Sequence, residues 1–127
     1  MTTENELHSD AVSSIDWEVA RTLTGGDDAL LDELIALFPA ESAKHLEAIR
    51  IAIEQGDGPS LTRAAHTLKS SAKIFGATTL AACALEMETL GQSTSTREAE
   101  ARLADLRTQT SRMIAALHRG RPEGDRQ

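Results

Sequence analysis

The chain has 127 residues, which suits one domain and is short for two. Asp and Glu number 20 against 13 Lys and Arg, for a net charge of −7. That balance argues against a general nucleic-acid binder, whose surface must neutralise phosphates. Apolar residues make up 40%, enough for a packed core. There are 20 Ala and 15 Leu but only two Val, two Phe, one Trp and no Tyr. Strands draw on β-branched and aromatic residues, so this composition reads as all-α. A single cysteine, Cys83, excludes an internal disulfide and fits a reducing compartment. No apolar run approaches the roughly 20 residues of a membrane span. The N-terminus is polar and acidic, unlike a secretory signal, so a cytoplasmic location is expected.

Residues 1–12 are polar and are expected to form a flexible tail. Ser13 and Asp16 resemble a capping pair for a short first helix over about 14–23, closed by Gly25-Gly26. Asp27 can cap the second helix. Its stripe is Leu30, Leu31, Leu34, Ile35, Phe38, Leu46, Ile49 and Ile53, ending at Gly56 and Gly58. Pro39 predicts a kink or break within it. Pro59 suits the first turn of a third helix over about 59–75, closed by Gly76. A fourth spans about 77–90 and stops at Gly91. Ser95 with Glu98 fits a capping box for a last helix over about 96–118. Residues 119–127 carry Gly, Pro and charges and read as a second flexible tail. The sequence thus predicts a bundle over 13–118, an antiparallel up-down four-helix bundle with a short extra N-terminal helix.

The third helix carries the candidate chemistry. At about 100° per residue, Leu61, Ala64, Ala65, Leu68, Ala72 and Phe75 share its core face. His66 lies about 150° from the middle of that face and points to solvent. Thr62, Arg63, Lys69, Ser70 and Lys73 fall on the outer side with it. Between Pro59 and Gly76 stand three cations and no acid, in a chain that is otherwise strongly acidic. A local cationic patch suits a small anion or an acidic partner. Neutral imidazole is a competent nucleophile near neutral pH, and the lysines could offset the charge of an arriving phosphoryl group. An exposed His beside Lys on a solvated helix face is equally an ordinary surface. Metal binding has little support, because no Cys, His, Asp or Glu stands within a turn of His66. His8, His45 and His118 read as isolated residues.

Glu88 is the second anomaly. It falls within the inward stripe of the fourth helix, with Ala77, Leu80, Ala81, Ala84 and Met87, whereas Glu86 points out. A carboxylate there needs a partner. His66 lies ten residues before Gly76 and Glu88 twelve after, so on antiparallel neighbours they stand at similar heights. Either Glu88 accepts a hydrogen bond from His66 Nδ1, or it reaches water at the helix end.

The segment Ala65-His66-Thr67-Leu68-Lys69-Ser70-Ser71-Ala72-Lys73-Ile74-Phe75-Gly76-Ala77 resembles the signature of histidine phosphotransfer (HPt) domains. The resemblance runs from about Ile15 to Leu117. It includes Gly25-Gly26-Asp27, Gly56-Asp57 and the stretch from Glu86 to Gly91. It implies a monomeric helical bundle in a multistep two-component phosphorelay, with no ATP-binding kinase part. The histidine of such a domain takes a phosphoryl group from a receiver-domain aspartate and passes it to another receiver. It implies that His66 is the phosphoacceptor, that Lys69 stabilises the phosphate and that Glu88 bonds the histidine ring. Arg63, Ser70, Lys73 and Ile74 would belong to the binding face, and Ile15, Val19 and Leu34 match an apolar docking patch. Most members carry glycine directly after the lysine; Ser70 stands there here, which implies a tuned interface. The implied partners are receivers of response regulators or hybrid kinases, with no nucleic acid and no membrane insertion. No cofactor or metal is expected on this chain, the Mg²⁺ of transfer belonging to the receiver. The alternatives are a phosphorylation-silent adaptor that binds through the same face, or a bundle enzyme using His66 as general base.

Overall fold

The computed structural model describes residues 15–93 and 96–120, and all its regular structure is helical. The elements are α1 (Trp17–Leu23), α2 (Asp28–Gln55), α3 (Gly58–Ile74), α4 (Thr78–Leu90) and α5 (Arg97–Arg119). Local chemistry accounts for the ends. Asp27 Oδ1 accepts from the Leu30 amide at 3.0 Å and starts α2. Gly56, at φ 65°, turns the chain out of α2 through a left-handed residue. Asp57 follows at once as the cap of α3, accepting from Ser60 N at 3.1 Å and from Ser60 Oγ at 2.7 Å. Two residues therefore suffice to reverse the chain, and α2 and α3 become antiparallel neighbours. Phe75 to Ala77 make a similarly short link of three residues between α3 and α4, with Gly76 at φ 61°.

The helices close a ring: α2 packs on α3, α3 on α4, α4 on α5, and α5 back on α2. The predicted bundle is therefore the fold. Its core takes one stripe from each long helix, including Leu31, Phe38, Leu46 and Ile49, then Leu61, Ala65, Leu68 and Ala72, then Leu80, Ala84 and Met87, then Leu106, Met113 and Leu117. Phe38 and Phe75 meet edge to face at 5.8 Å between centroids. The short α1 packs against α2 and α3. Its start is tied to the end of α3, where the Asp16 amide donates to Phe75 O at 2.8 Å.

Two expectations need correction. Of the kink or break expected at Pro39, the break is absent, because α2 runs without interruption from Asp28 to Gln55. An interior proline costs about 3 kcal/mol of helix stability. Here, however, core residues lie on both sides of it, Leu31 and Phe38 before and Ser42, Leu46, Ile49 and Ala52 after. Burial of both halves on one face offsets the lost amide hydrogen bond. At α1 the helix begins at Trp17, and Asp16 itself is the cap, accepting from Glu18 N at 3.1 Å and Val19 N at 3.2 Å. Ser13 lies outside the described residues. So does Ser95, and α5 begins after Thr96. Of the two expected tails, residues 1–12 and 121–127 also fall outside the described part of the chain. Among the described residues no helix is long and apolar enough to cross a membrane.

Candidate functional site

The site lies on the seam between α3 and α4. On α3 the buried residues Leu61, Ala65, Leu68 and Ala72 hold one face against the bundle. His66 follows Ala65 by one position and is turned outward, its side chain 57% exposed. Lys69 is one turn further on, beside Leu68. The sequence placed Lys69 on the outer side with His66; its side chain is instead mostly covered, 14% exposed, and reaches across to α4. A lysine stem is apolar, so it lies down on the helix–helix seam and carries the ammonium to a carboxylate.

That carboxylate is Glu88. It sits next to the buried Met87, at the edge where α4 meets α3, with its side chain 16% exposed. Its Oε2 is 3.2 Å from His66 Nδ1, within hydrogen-bond reach. Its Oε1 is 2.8 Å from Lys69 Nζ. Oε1 is shielded from solvent and makes no well-aligned hydrogen bond, so the close ammonium charge is what compensates its burial. The Lys69 ammonium, and then the His66 contact, hold the Glu88 carboxyl below the usual carboxylate range, against the opposing effect of desolvation. Glu88 is therefore ionised at neutral pH and can only accept hydrogen bonds. A neutral His66 must then carry its proton on Nδ1 to satisfy Glu88, which leaves the Nε2 lone pair for the outer side.

The remaining expected residues scatter around this pair. Ser70 and Lys73 are exposed on the outer side of α3. Arg63 is exposed too, but its guanidinium turns back to the start of the helix and donates to Ser60 Oγ at 3.0 Å. Ile74 is half-buried. Ile15 is buried among the core residues, which removes it from the surface expected of a docking patch. The tie between Asp16 and Phe75 presses the chain just before α1 onto the bundle, so an apolar side chain there is covered. Val19 and Leu34 are half-buried. His45 is half-buried and His118 exposed, and His8 lies outside the described residues.

Sequence reasoning left three neighbours of Val19 and Leu34 out of the docking patch, and counted Leu30 in the apolar stripe of the second helix. Leu23 on α1 and Leu30 and Leu37 on α2 are large apolar side chains left exposed. The signal was present: Val19 and Leu23 are one turn apart, as are Leu30, Leu34 and Leu37, so each set lines one helix face. Asp16 and Val19 pack against Gly76, which places this apolar surface toward the C-terminal end of α3. Phe75 there is nine residues beyond His66, about 14 Å along the helix. Among the described residues, no three His, Cys, Asp or Glu side chains converge as metal ligands do.

A helical bundle that presents an exposed histidine, bonded at one nitrogen and open at the other, narrows the families to consider. The Hpt domain family model matches residues 33–120. The chain belongs to the Hpt domain family. Hpt domains are phosphocarriers that serve histidine phosphotransfer in phosphorelays and work with receiver domains. The fold is also that of two solved structures. One is histidine-containing phosphotransfer protein B (HptB) from Pseudomonas aeruginosa PAO1, with 21% identity, coverage of 83% of this chain and 91% of that one, and a TM-score of 0.76. The other is the HPT domain from the Hpt sensor hybrid histidine kinase from Shewanella, with 18% identity, coverage of 84% and 92%, and a TM-score of 0.71. At these identities the likeness is one of fold. No curated protein sequence matches the chain.

Proposed function

We propose that His66 is the phosphoacceptor of this Hpt domain, relaying a phosphoryl group between receiver aspartates. The observation that carries the reading is the geometry of one ring: Nδ1 lies 3.2 Å from an ionised Glu88, while the ring stays 57% exposed. In the forward step the Nε2 lone pair attacks the phosphorus of a receiver aspartyl phosphate, in line with the bond that breaks. An N–P bond forms, the acyl O–P bond breaks, and its electron pair leaves with the aspartate oxygen. The ring acquires positive charge while its Nδ1 proton stays on the hydrogen bond to Glu88. The reverse step hands the group to a second receiver. The divalent cation of transfer would be held by the receiver, and this chain would supply the nucleophile and its setting, with no cofactor of its own.

Lys69 has a place in the same reading. Its ammonium is one turn from His66 and charge-assisted contact with an arriving phosphate stabilises it. Glu88 holds that ammonium in the unphosphorylated protein, so a contact with phosphate would be made in exchange. Lys73 and Ser70 line the approach, with Arg63 at its margin. Val19, Leu34 and Ile74, with the more exposed Leu23, Leu30 and Leu37, would form the apolar part of the receiver-docking face. The carrier is read as a monomer acting in the cytoplasm.

The deciding experiment incubates the protein with a panel of phosphorylated receivers and follows label onto this chain. Wild type should gain an acid-labile, base-stable phosphate, and His66→Gln should stay folded and gain none. Equal labelling of His66→Gln would refute the assignment. Tight receiver binding without transfer would leave an adaptor in place of a carrier.

A further inference from the structure

We infer that Thr62 and Gly91 are positioning residues for His66, acting through Glu88; this rests on the reading of His66 as the phosphoacceptor. The start of α3 and the end of α4 approach each other more closely than side chains would allow. A Cβ on Gly91 would lie 2.8 Å from Thr62 N and 2.9 Å from Gly58 O, and would overlap Thr62 Oγ1 as well. A Cβ on Gly58 would overlap Gly91 O in the same way. Gly91 has φ −66°, an ordinary helical value. What demands glycine there is space rather than backbone freedom: besides the Thr62 hydroxyl, the atoms in the way are the backbone Thr62 N and Gly58 O, which cannot swing aside. Gly91 is buried in this contact.

A hydroxyl completes the clasp. The Gln92 amide, which would continue the helical ladder to Glu88 O, instead bonds Thr89 O at 3.0 Å. Thr62 Oγ1 donates to Glu88 O at 3.3 Å in its place. The bond is long for a hydroxyl donor, so the glycine approach carries more of the fixation. Both anchors lie within one turn of the chemistry. Thr62 precedes His66 by four residues on α3, and Glu88 precedes Gly91 by three on α4. The clasp therefore sets the height of α4 along α3 at the level where the Glu88 carboxylate must span Lys69 and His66. A slip of one residue would move the carboxylate about 1.5 Å along the axis, enough to break a contact of hydrogen-bond length.

The test reads the His66 ring directly by nitrogen NMR in the unphosphorylated protein, beside the rate of phosphoryl acceptance. Wild-type neutral His66 should be mainly the Nδ1–H tautomer. Gly91→Ala and Thr62→Val should shift it toward Nε2–H, as Glu88→Ala should, and slow acceptance several-fold. Thr62→Ser retains the hydroxyl and should retain both the tautomer and the rate. Should Gly91→Ala fail to fold, the Thr62 pair decides. Lower melting temperatures with an unchanged tautomer in Thr62→Val would overturn the proposal and leave the clasp as packing alone. If the tautomer shifts as stated but no receiver ever labels wild type, the positioning stands and the phosphotransfer reading fails.

Discussion

Glu88→Ala removes the carboxylate that faces both Lys69 and His66. Lys69 then keeps an ammonium on a side chain only 14% exposed, with its counter-charge gone. Taking one partner from a fully buried pair costs about 3–5 kcal/mol. Taking one from an exposed pair costs at most about 1 kcal/mol. With side chains 14% and 16% exposed, this pair lies between those limits. The flexible lysine stem can also carry some of the freed charge toward water. We expect a loss of about 2 kcal/mol, or a fall in Tm of about 8–12 °C for a domain of this size. Urea unfolding of wild type, Glu88→Ala, Lys69→Met and the double variant measures it. The double variant should recover much of the loss, because it leaves no orphaned charge, giving a coupling of at least about 1 kcal/mol. Glu88→Gln separates the two roles, since its amide oxygen still accepts from His66 while the charge facing Lys69 is gone. Single-variant effects that add to within about 0.3 kcal/mol would show that the 2.8 Å contact contributes nothing, and would refute the reasoning.

Two further outcomes follow from the same geometry. The folded Glu88 carboxyl titrates below its usual range, chiefly because of Lys69. Its contribution to stability is then complete above the unfolded carboxylate pKa of about 4.3 and is lost as pH falls through the lower folded value. The stability advantage of wild type over Glu88→Gln should therefore shrink as pH drops below about 5, and a difference that stays flat there would contradict the assignment. On the docking face, Leu30→Ser should weaken receiver binding about tenfold with little change in Tm, since Leu30 is 40% exposed. Ile15→Ala should instead destabilise the fold by about 2–4 kcal/mol, as a core truncation does. Unchanged receiver affinity for Leu30→Ser, measured by calorimetry, would remove this surface from the interface.

Much of this protein was legible in the order of its residues. Helix ends follow from neighbours in sequence: Asp27 and Asp57 cap through their own carboxylates, and Gly56 and Gly76 supply the left-handed turns. The core follows from period, because Leu61, Ala65, Leu68 and Ala72 must share a face on any helix. Turning those inward turns His66 outward, and short links force antiparallel neighbours. His66 and Glu88 were therefore placed at one height without coordinates.

What the tertiary structure alone decided lies where two helices meet. No local rule says that Lys69 abandons the outer face, because its choice depends on a carboxylate nineteen residues away in the chain. Pro39 shows the same limit from the other side: a local penalty is overruled by burial on both flanks of a 28-residue helix. Ile15 is apolar in either reading, and only the tie from Asp16 to Phe75 makes it core rather than surface. Gly91 reads in sequence as a helix stop, yet its φ is helical and its requirement is the closeness of Thr62 and Gly58. Periodicity fixes direction around one helix axis; the distance to the next helix is set by packing, and the charge pairs and close contacts of this site depend on that distance.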